Sequence, residues 1–320
     1  MNNKVIAIVV TFNKKKLLLN AIHGILDQSN LPDEILVIDN NSSDGTFELL
    51  SKENFIGDIK NNIPNKFQVF SKKILSNTNK VNFNYFKNNK NEGGAGGFNL
   101  GVEIATYLGG NLFWLMDDDG VPSKDCLKQL IISKTKNNLD MIGPLVLDIA
   151  GSDKLSFGIN GHTSIDDDFD DIIFNKTNLF NGNLFDIAVF NSIGNIKKEM
   201  FIWGDEVEFM NRMILNKINF ATCTKAKFYH PLNKTSYDSL FFGLIKNVPI
   251  KPENLQMVFY RNQGYIKSKY FSRYRTLIFA IKMIVYFLFK GNIKSTKNFV
   301  LYYLDGVNDN FSRPIFLITK

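Results

Sequence analysis

The 320-residue chain is 44% hydrophobic and 22% charged, which supplies a sizeable core, argues against disorder, and suits one large domain or a catalytic domain with an appendage. Two cysteines, Cys126 and Cys223, without a CxxC pair exclude a disulfide scaffold and a structural zinc module. The net charge of +7 is uneven: residues 1–224 carry 22 basic and 27 acidic side chains, a balance of −5, and residues 225–320 carry 16 and 4, a balance of +12, so an anionic partner is expected for the C-terminal third.

Lys4 to Thr11 is rich in β-branched residues and predicts a buried parallel strand, with helical spacing following from Lys15 to Gln28. The apolar run Val5 to Val10 precedes Thr11-Phe12-Asn13 and three lysines, the wrong order for a secretory signal. Glu34 to Asp39 predicts a second strand. It ends in Asn40-Asn41-Ser42-Ser43-Asp44-Gly45, where Ser43 or Asp44 is expected to cap a helix starting near Thr46. Residues 54–80, rich in Asn and Lys, read as an irregular insertion. Phe83 to Phe86 reads as a third strand, before the glycine-rich Asn91 to Asn99 and a helix to about Leu108. Leu112 to Met116 is a fourth strand, running into Asp117-Asp118-Asp119.

Residues 151–177 predict a polar, mobile stretch whose acidic cluster, Asp166 to Asp168 with Asp170 and Asp171, reads as solvated loop. Phe201 to Phe209 (FIWGDEVEF) leads into a helix through Leu215. Leu255 to Phe289 interleaves Tyr and Phe with Arg and Lys at helical spacings. Its longest apolar stretch, Leu277 to Phe289, has 13 residues and contains Lys282, short of the roughly 20 that a bilayer span needs. A cytoplasmic protein that touches a membrane without crossing it is expected.

The βαβα order predicts a mainly parallel sheet with helices on both faces, in which ligands sit at the carboxyl ends of strands. Thr11, Asp39 and Asp117 each lie at such an end and can converge. In the aspartate triplet, alternation points Asp117 and Asp119 one way and Asp118 another. Two same-side carboxylates suit Mg²⁺ or Mn²⁺ carrying phosphates, and three adjacent carboxylates need a compensating cation or donors; a polar loop is the plainer alternative. The five glycines from Gly93 to Gly101 permit close backbone approach to a diphosphate or sugar. In Asp205-Glu206-Val207-Glu208, a carboxylate held at a helix N-terminus can act as a general base, although an acidic first turn is common in any helix. His230 is a lone histidine, for which a structural role is the plainer reading, but its imidazole suits a manganese site already holding carboxylates, a context His23 and His162 lack.

Together these segments resemble glycosyltransferase family 2, enzymes of the GT-A fold. The resemblance rests on Val9 to Asn13, Val37 to Thr46, the aspartate triplet and Phe201 to Phe209, spanning roughly residues 4–235 and more loosely Tyr260-Arg261-Asn262. NEGGAGGFNLG, WLMDDDGVP and Phe180-Asn181-Gly182 look most like the galactofuranosyltransferase and rhamnosyltransferase-like branch. The resemblance implies a Rossmann-like nucleotide-sugar-binding α/β domain over residues 1–240, with residues 1–116 serving the nucleotide and residues 117–240 the metal and acceptor. A basic helical extension would occupy residues 241–320. It implies that Thr11, Asn13, Asp39 and Asp117 bind the nucleotide of a UDP-sugar. Asp117, Asp119 and His230 would hold Mn²⁺ or Mg²⁺. Gly94, Ala95, Gly96, Gly97, Asn99 and Asp118 would line the donor sugar. Glu206 would be the catalytic base with Asp205 as competitor, and Asn181, Trp203, Asp205 and Glu208 would meet the acceptor.

The implied activity is inverting transfer of galactofuranose from UDP-galactofuranose to a bacterial surface glycan, with a polyprenyl-diphosphate-linked acceptor. A dTDP-rhamnose-dependent rhamnosyltransferase is the alternative within enzymes. A catalytically silent glycan- or lipid-binding relative is the alternative outside them, and a nucleotidyltransferase leaves the acids at 205–208 without a role. For the basic extension, an anionic membrane surface at the inner face of the cytoplasmic membrane is the leading partner. A packing cap or homo-oligomer interface comes next. Nucleic acid is disfavoured because no nucleic-acid-binding signature accompanies the charge.

Overall fold

The computed structural model describes residues 3–59, 64, 67–76, 79–232, 235–240 and 245–314. The chain divides into two compact units, Met1–Lys198 with Arg212–Asn233, and Glu199–Asn211 with Lys234–Lys320.

The first unit is built on strands β1 (Val5–Thr11), β2 (Glu34–Asp39), β3 (Val69–Ser76), β4 (Asn79–Lys87), β5 (Leu112–Asp117), β6 (Met141–Asp148), β7 (Asn181–Asp186) and β8 (Phe220–His230). Its sheet contains the order β6-β7-β5-β1-β2-β4-β3. Strands β5, β1, β2 and β4 run parallel, β7 is antiparallel to both neighbours, and β8 lies parallel to β6. Helices α1 (Lys15–Leu26), α2 (Thr46–Lys52), α3 (Gly93–Tyr107), α4 (Cys126–Lys136) and α5 (Ile187–Ile193) connect them. Helix α6 (Asp205–Leu215) precedes β8 and begins among the residues of the second unit.

Every residue of β1 is buried, as a strand covered on both faces requires. Val5, Ala7 and Val9 share a core with Leu18, Ile22 and Ile25 of α1 and Leu127 and Leu130 of α4. On the opposite face, Ile8 and Val10 meet Gly101 and Gly97 of α3. The period of two along the strand thus places helices on both sides of a mainly parallel sheet, the mixed α/β architecture expected.

Three local expectations change. Residues 54–80 are not irregular throughout: β3 pairs antiparallel with β4. Lys72, Lys73, Asn79, Lys80, Asn82 and Asn84 hide the strand pattern, because Asn and Lys are depleted in strands. Helix α2 is preceded by Gly45 at φ +85°, with no side-chain cap; Asp44 instead accepts from the Lys15 backbone N–H at 3.0 Å and the Thr46 hydroxyl at 2.6 Å. Within 151–177 lie strands Lys154–Ile159, His162–Ser164 and Ile172–Phe174, and Asp167 accepts from the Thr163 and Ser164 N–H groups at 2.9 and 3.0 Å. That carboxylate therefore organises a turn.

The second unit also contains a short hairpin, Tyr237–Leu240 with Ile245–Pro249, and helices α7 (Gln256–Tyr270), α8 (Arg273–Phe289) and α9 (Ile293–Val307). Met257, Tyr260, Met283, Phe287, Phe299, Tyr302 and Tyr303 form its core. A Cβ on Gly264 would strike the Tyr303 carbonyl, and one on Gly306 the Arg261 carbonyl, so these glycines set the close approach of α7 and α9. Glu199–Asn211 belongs to the same unit as these helices. Of the expected extension, 241–244 and 315–320 lie outside the described residues. Among the described residues no helix is long and apolar enough to cross a membrane.

Candidate active site

The register of β5, β1 and β2 pairs Thr11 with Asp39 and Val10 with Asp117, so Thr11, Asp39 and Asp117 stand at one carboxyl edge of the sheet. Asp39 is fully buried; its carboxylate accepts from the Ser42 N–H at 2.7 Å and the Tyr85 hydroxyl at 2.5 Å. Burial, then the bond to Asp39, raises the Tyr85 hydroxyl well above its ordinary range, so it remains a donor. Asn13 adopts φ +55°, donates its N–H to the Ser42 hydroxyl at 2.9 Å and accepts from the Ser43 N–H at 2.8 Å. The loop after β2 is thereby stapled to the end of β1.

The aspartates diverge. Asp118 accepts from the Thr11 hydroxyl at 2.7 Å, which ties the expected donor-sugar contact to the expected nucleotide contact. Asp119 Oδ1 lies 3.2 Å from His230 Nε2. The Lys14 ammonium bridges the pair, 3.2 Å from Asp118 Oδ1 and 2.8 Å from Asp119 Oδ2. Burial, then the charges of Asp119 and Asp118, push the half-buried Asp117 carboxyl up to about 7. Burial also raises Asp118, beyond what Lys14 and Thr11 offset. For Asp119, burial works upward, but the His230 and Lys14 hydrogen bonds prevail and hold it far below the usual carboxylate range. Lys14 is raised despite burial, by Asp118 and Asp119; His230 is raised despite burial, chiefly by Asp119.

This donor chemistry suits a divalent cation. His230 Nδ1 sits 2.7 Å from the Pro231 carbonyl; a carbonyl only accepts, so Nδ1 carries a proton, and Nε2, which faces Asp119, is the nitrogen that a metal would take in exchange for its proton. Asp117 and Asp119 supply hard oxygens whose mutual repulsion a cation would relieve. Among the described residues, no three His, Cys, Asp or Glu side chains already form a metal-holding group; an ammonium lies between two of the carboxylates instead.

The glycine-rich segment is the start of α3 itself, since the helix begins at Gly93. A Cβ on Gly97 would strike Val10 and Asn40, and one on Gly101 would strike Ile8, so both glycines let α3 lie close on β1. Ala95, Gly96 and Gly97 are buried, whereas Gly94 has open space beside it. Asn99 donates to the Ile196 carbonyl at 2.7 Å. Asn40 donates to the Gly93 carbonyl at 2.8 Å while its own Oδ1 is buried without a partner. Phe180, at φ +64°, stacks on Phe98 with centroids 4.4 Å apart. Asn181 donates to the Leu179 carbonyl at 2.8 Å, and its Oδ1 is also buried and unpartnered.

In the second unit, Phe201, Trp203 and Gly204 have φ of +64°, +59° and +122°, left-handed conformations that are costly for two bulky aromatics. Helix α6 follows at once. Arg261 and Asn262, both fully buried on α7, hold this turn. Arg261 donates to the Glu199 carbonyl at 2.8 Å, and Asn262 Nδ2 donates to Met200, Ile202 and Trp203 carbonyls at 2.8, 3.0 and 3.1 Å. Glu206 accepts from the Gly204 N–H at 3.0 Å. Glu208 is buried and accepts from the Tyr270 hydroxyl at 2.7 Å; Asp205 is buried too, leaving Glu206 the more exposed of the three acids. The Lys251 ammonium lies 4.6 Å from the Trp203 ring centroid.

Lys14, Tyr85 and Lys251 escape a motif reading, and Arg261 and Asn262 enter it only as a loose part of the resemblance, without a role. Lys14 is hidden in a lysine run and Tyr85 in a strand. Arg261 and Asn262 carry a signal, two polar residues on the inward face of an apolar helix, that requires the helix phase to be known.

The sequence profile described as Glycosyl transferase family 2 matches residues 6–63 and 64–197. The chain is 26% identical over 277 residues to galactofuranosyltransferase GlfT1 of Mycolicibacterium smegmatis, covering 83% of each chain. It is 27% identical over 278 residues to galactofuranosyltransferase GlfT1 of Mycobacterium tuberculosis, covering 84% of each. Among solved structures it is similar to S. aureus TarS 1–349, with a TM-score of 0.56 at 16% identity over 95% of this chain and 81% of that one. The UDP complex of TarS 1–349 gives a TM-score of 0.50 over 82% of this chain and 63% of that one, under two thirds of its length. At such identities the structural likeness shows the fold.

Proposed function

Since this chain belongs to glycosyl transferase family 2, we propose that it transfers galactofuranose from UDP-galactofuranose, with inversion, to a lipid-linked bacterial surface glycan at the inner face of the cytoplasmic membrane. The carrying observation is the likeness to two proteins named galactofuranosyltransferase over 83–84% of both lengths. The meeting of Thr11, Asp39 and Asp117 at one sheet edge supports a nucleotide-sugar site there.

Thr11, Asn13 and Asp39 position the uridine, and the start of α3 around Gly94 to Gly97, with Asn99 and Asp118, borders the sugar. Asp117, Asp119 and His230 would hold Mn²⁺ or Mg²⁺, which when bound neutralises charge developing on the diphosphate leaving group. Glu206 removes the proton of the attacking acceptor hydroxyl. Its greater exposure than Asp205 favours it as base, and its bond to the Gly204 N–H fixes its orientation. Trp203, Asp205, Glu208 and Asn181 orient the acceptor. One base and direct displacement invert the anomeric centre.

A donor panel with Mn²⁺, and with EDTA as control, tests this by nucleotide release in the presence of a galactofuranose acceptor. UDP release from UDP-galactofuranose alone is the expected result. Turnover of dTDP-rhamnose would replace the donor assignment, and binding without turnover of any donor would identify a silent glycan- or lipid-binding relative.

A further inference from the structure

Helix α8 is apolar on two opposite faces, and among the described residues only one of them is covered. Met283 and Phe287 point into the core of the second unit. Tyr274, Leu277, Ile278, Ile281 and Leu288 are 71%, 58%, 44%, 51% and 52% exposed, and at helical pitch they fall within roughly 100° of arc on the far side. The helix meets the rest of its unit through the opposite face, so folding gives no reason to present such a stripe to water, and contiguous apolar surface of this kind marks an interaction site.

The charges identify the partner. On a helical wheel Arg273 lies on one side of the stripe, and Arg275 and Lys282 on the other. Lys282 is fixed there by donating to the Lys246 and Asn247 carbonyls. No acidic residue occurs in α8, and residues 255–320 carry 11 basic against 2 acidic side chains. Beside the stripe an apolar cleft of about 450 Å³ opens between α8 and α9, lined by Leu277, Ala280, Ile284, Val300 and Leu304 with Arg273 among them. A nucleic acid would require cations at the centre of the surface. Here the centre is apolar and the cations stand at its edges, the arrangement in which side chains sink to the acyl boundary while guanidinium and ammonium groups reach the phosphates. No helix among the described residues can span a bilayer, so the contact lies in the plane of the surface.

We propose that this face of α8 seats the protein on an anionic phospholipid bilayer, with Arg273, Arg275 and Lys282 at headgroup level and the cleft receiving an acyl segment. The inference deepens the reading of a lipid-linked acceptor by naming the docking surface, and it can fail separately, because vesicle binding needs neither donor nor turnover.

The test is co-sedimentation of the full chain with phosphatidylcholine vesicles, with and without phosphatidylglycerol, at low and high salt. The expected result is ~10-fold or more binding in favour of anionic vesicles, weakened by salt. In Leu277→Glu/Ile281→Glu, binding falls by ~10-fold or more with an unchanged melting curve, because both positions are exposed. Ile132→Glu, an exposed position on α4, retains wild-type binding. Equal binding to both vesicle types, or wild-type binding by the double variant, overturns the proposal. So does a dimer in sedimentation that the double variant dissolves while the wild type ignores vesicles, which would assign the face to a second copy of the chain.

Discussion

The Asn262 side-chain amide donates to the Trp203 carbonyl at 3.1 Å, and the same nitrogen also serves Met200 and Ile202. One side chain on α7 thus gathers three carbonyls of a turn whose two aromatics sit at positive φ, immediately before the acids of α6. Such conformations persist only where surrounding bonds over-determine them.

Asn262→Leu removes the donor and leaves these carbonyls without it. Each orphaned buried acceptor costs about 1–3 kcal/mol, so urea unfolding of the variant is expected to show a clear loss of stability. In the fraction that remains folded, kcat is expected to fall while UDP affinity is retained, since the residues proposed to bind the nucleotide belong to the first unit. Loss of UDP affinity with normal kcat would mean that the amide does not place the acids.

Glu206 and Asp205 differ in exposure and are separable by charge-neutral exchange. Glu206→Gln keeps an oxygen for the Gly204 N–H and loses only basicity. Turnover is expected to drop about 10²–10⁴-fold with UDP binding by calorimetry unchanged. Asp205→Asn is expected to reduce turnover less. The reverse ranking would transfer the base to Asp205 and leave Glu206 as a turn-fixing group.

The Lys14 ammonium bridges Asp118 and Asp119. Replacing it with Met leaves Asp117, Asp118 and Asp119 to repel one another. In EDTA the variant is expected to melt below the wild type at neutral pH, and Mn²⁺ is expected to raise its melting temperature more than it raises that of the wild type. Equal Mn²⁺ shifts in the two proteins would show that the ammonium and the metal do not share the carboxylates.

Much of this site is legible in sequence because it is local. Strand β1 and the run Glu34 to Asp39 announce themselves by β-branched residues, and the residue that ends each strand stands at the carboxyl edge of the sheet by topology alone. Partners supplied from a distance are not legible. No spacing rule connects Tyr85 to Asp39, Lys14 to Asp119 or Asn262 to Trp203, because each pair meets only once the sheet order or the helix packing exists. The glycines show a different limit. Their number suggested a cradle for a ligand, yet Gly97 and Gly101 lie against Val10 and Ile8, and both close packing and ligand approach ask for the same missing Cβ. Strand β3 and the start of β4 are obscured because Lys72, Lys73, Asn79, Lys80 and Asn82 are residue types that also mark loops.

Asp117 gives the pH dependence a sign. Burial, then Asp119 and Asp118, raise its carboxyl from the ordinary carboxylate range to about 7, so the folded chain binds this proton more tightly than the unfolded chain does. Its contribution to stability is therefore fully present below the unfolded value, near pH 4, and is lost progressively as pH rises toward about 7. Asp119, held below the usual range, acts in the opposite direction, losing its contribution only as pH falls through strongly acid values. In EDTA, the melting temperature of the wild type is expected to fall relative to Asp117→Asn between about pH 4 and 7, and the gap to stay constant above that. A gap that does not change with pH would show that Asp117 ionises normally in the ligand-free fold.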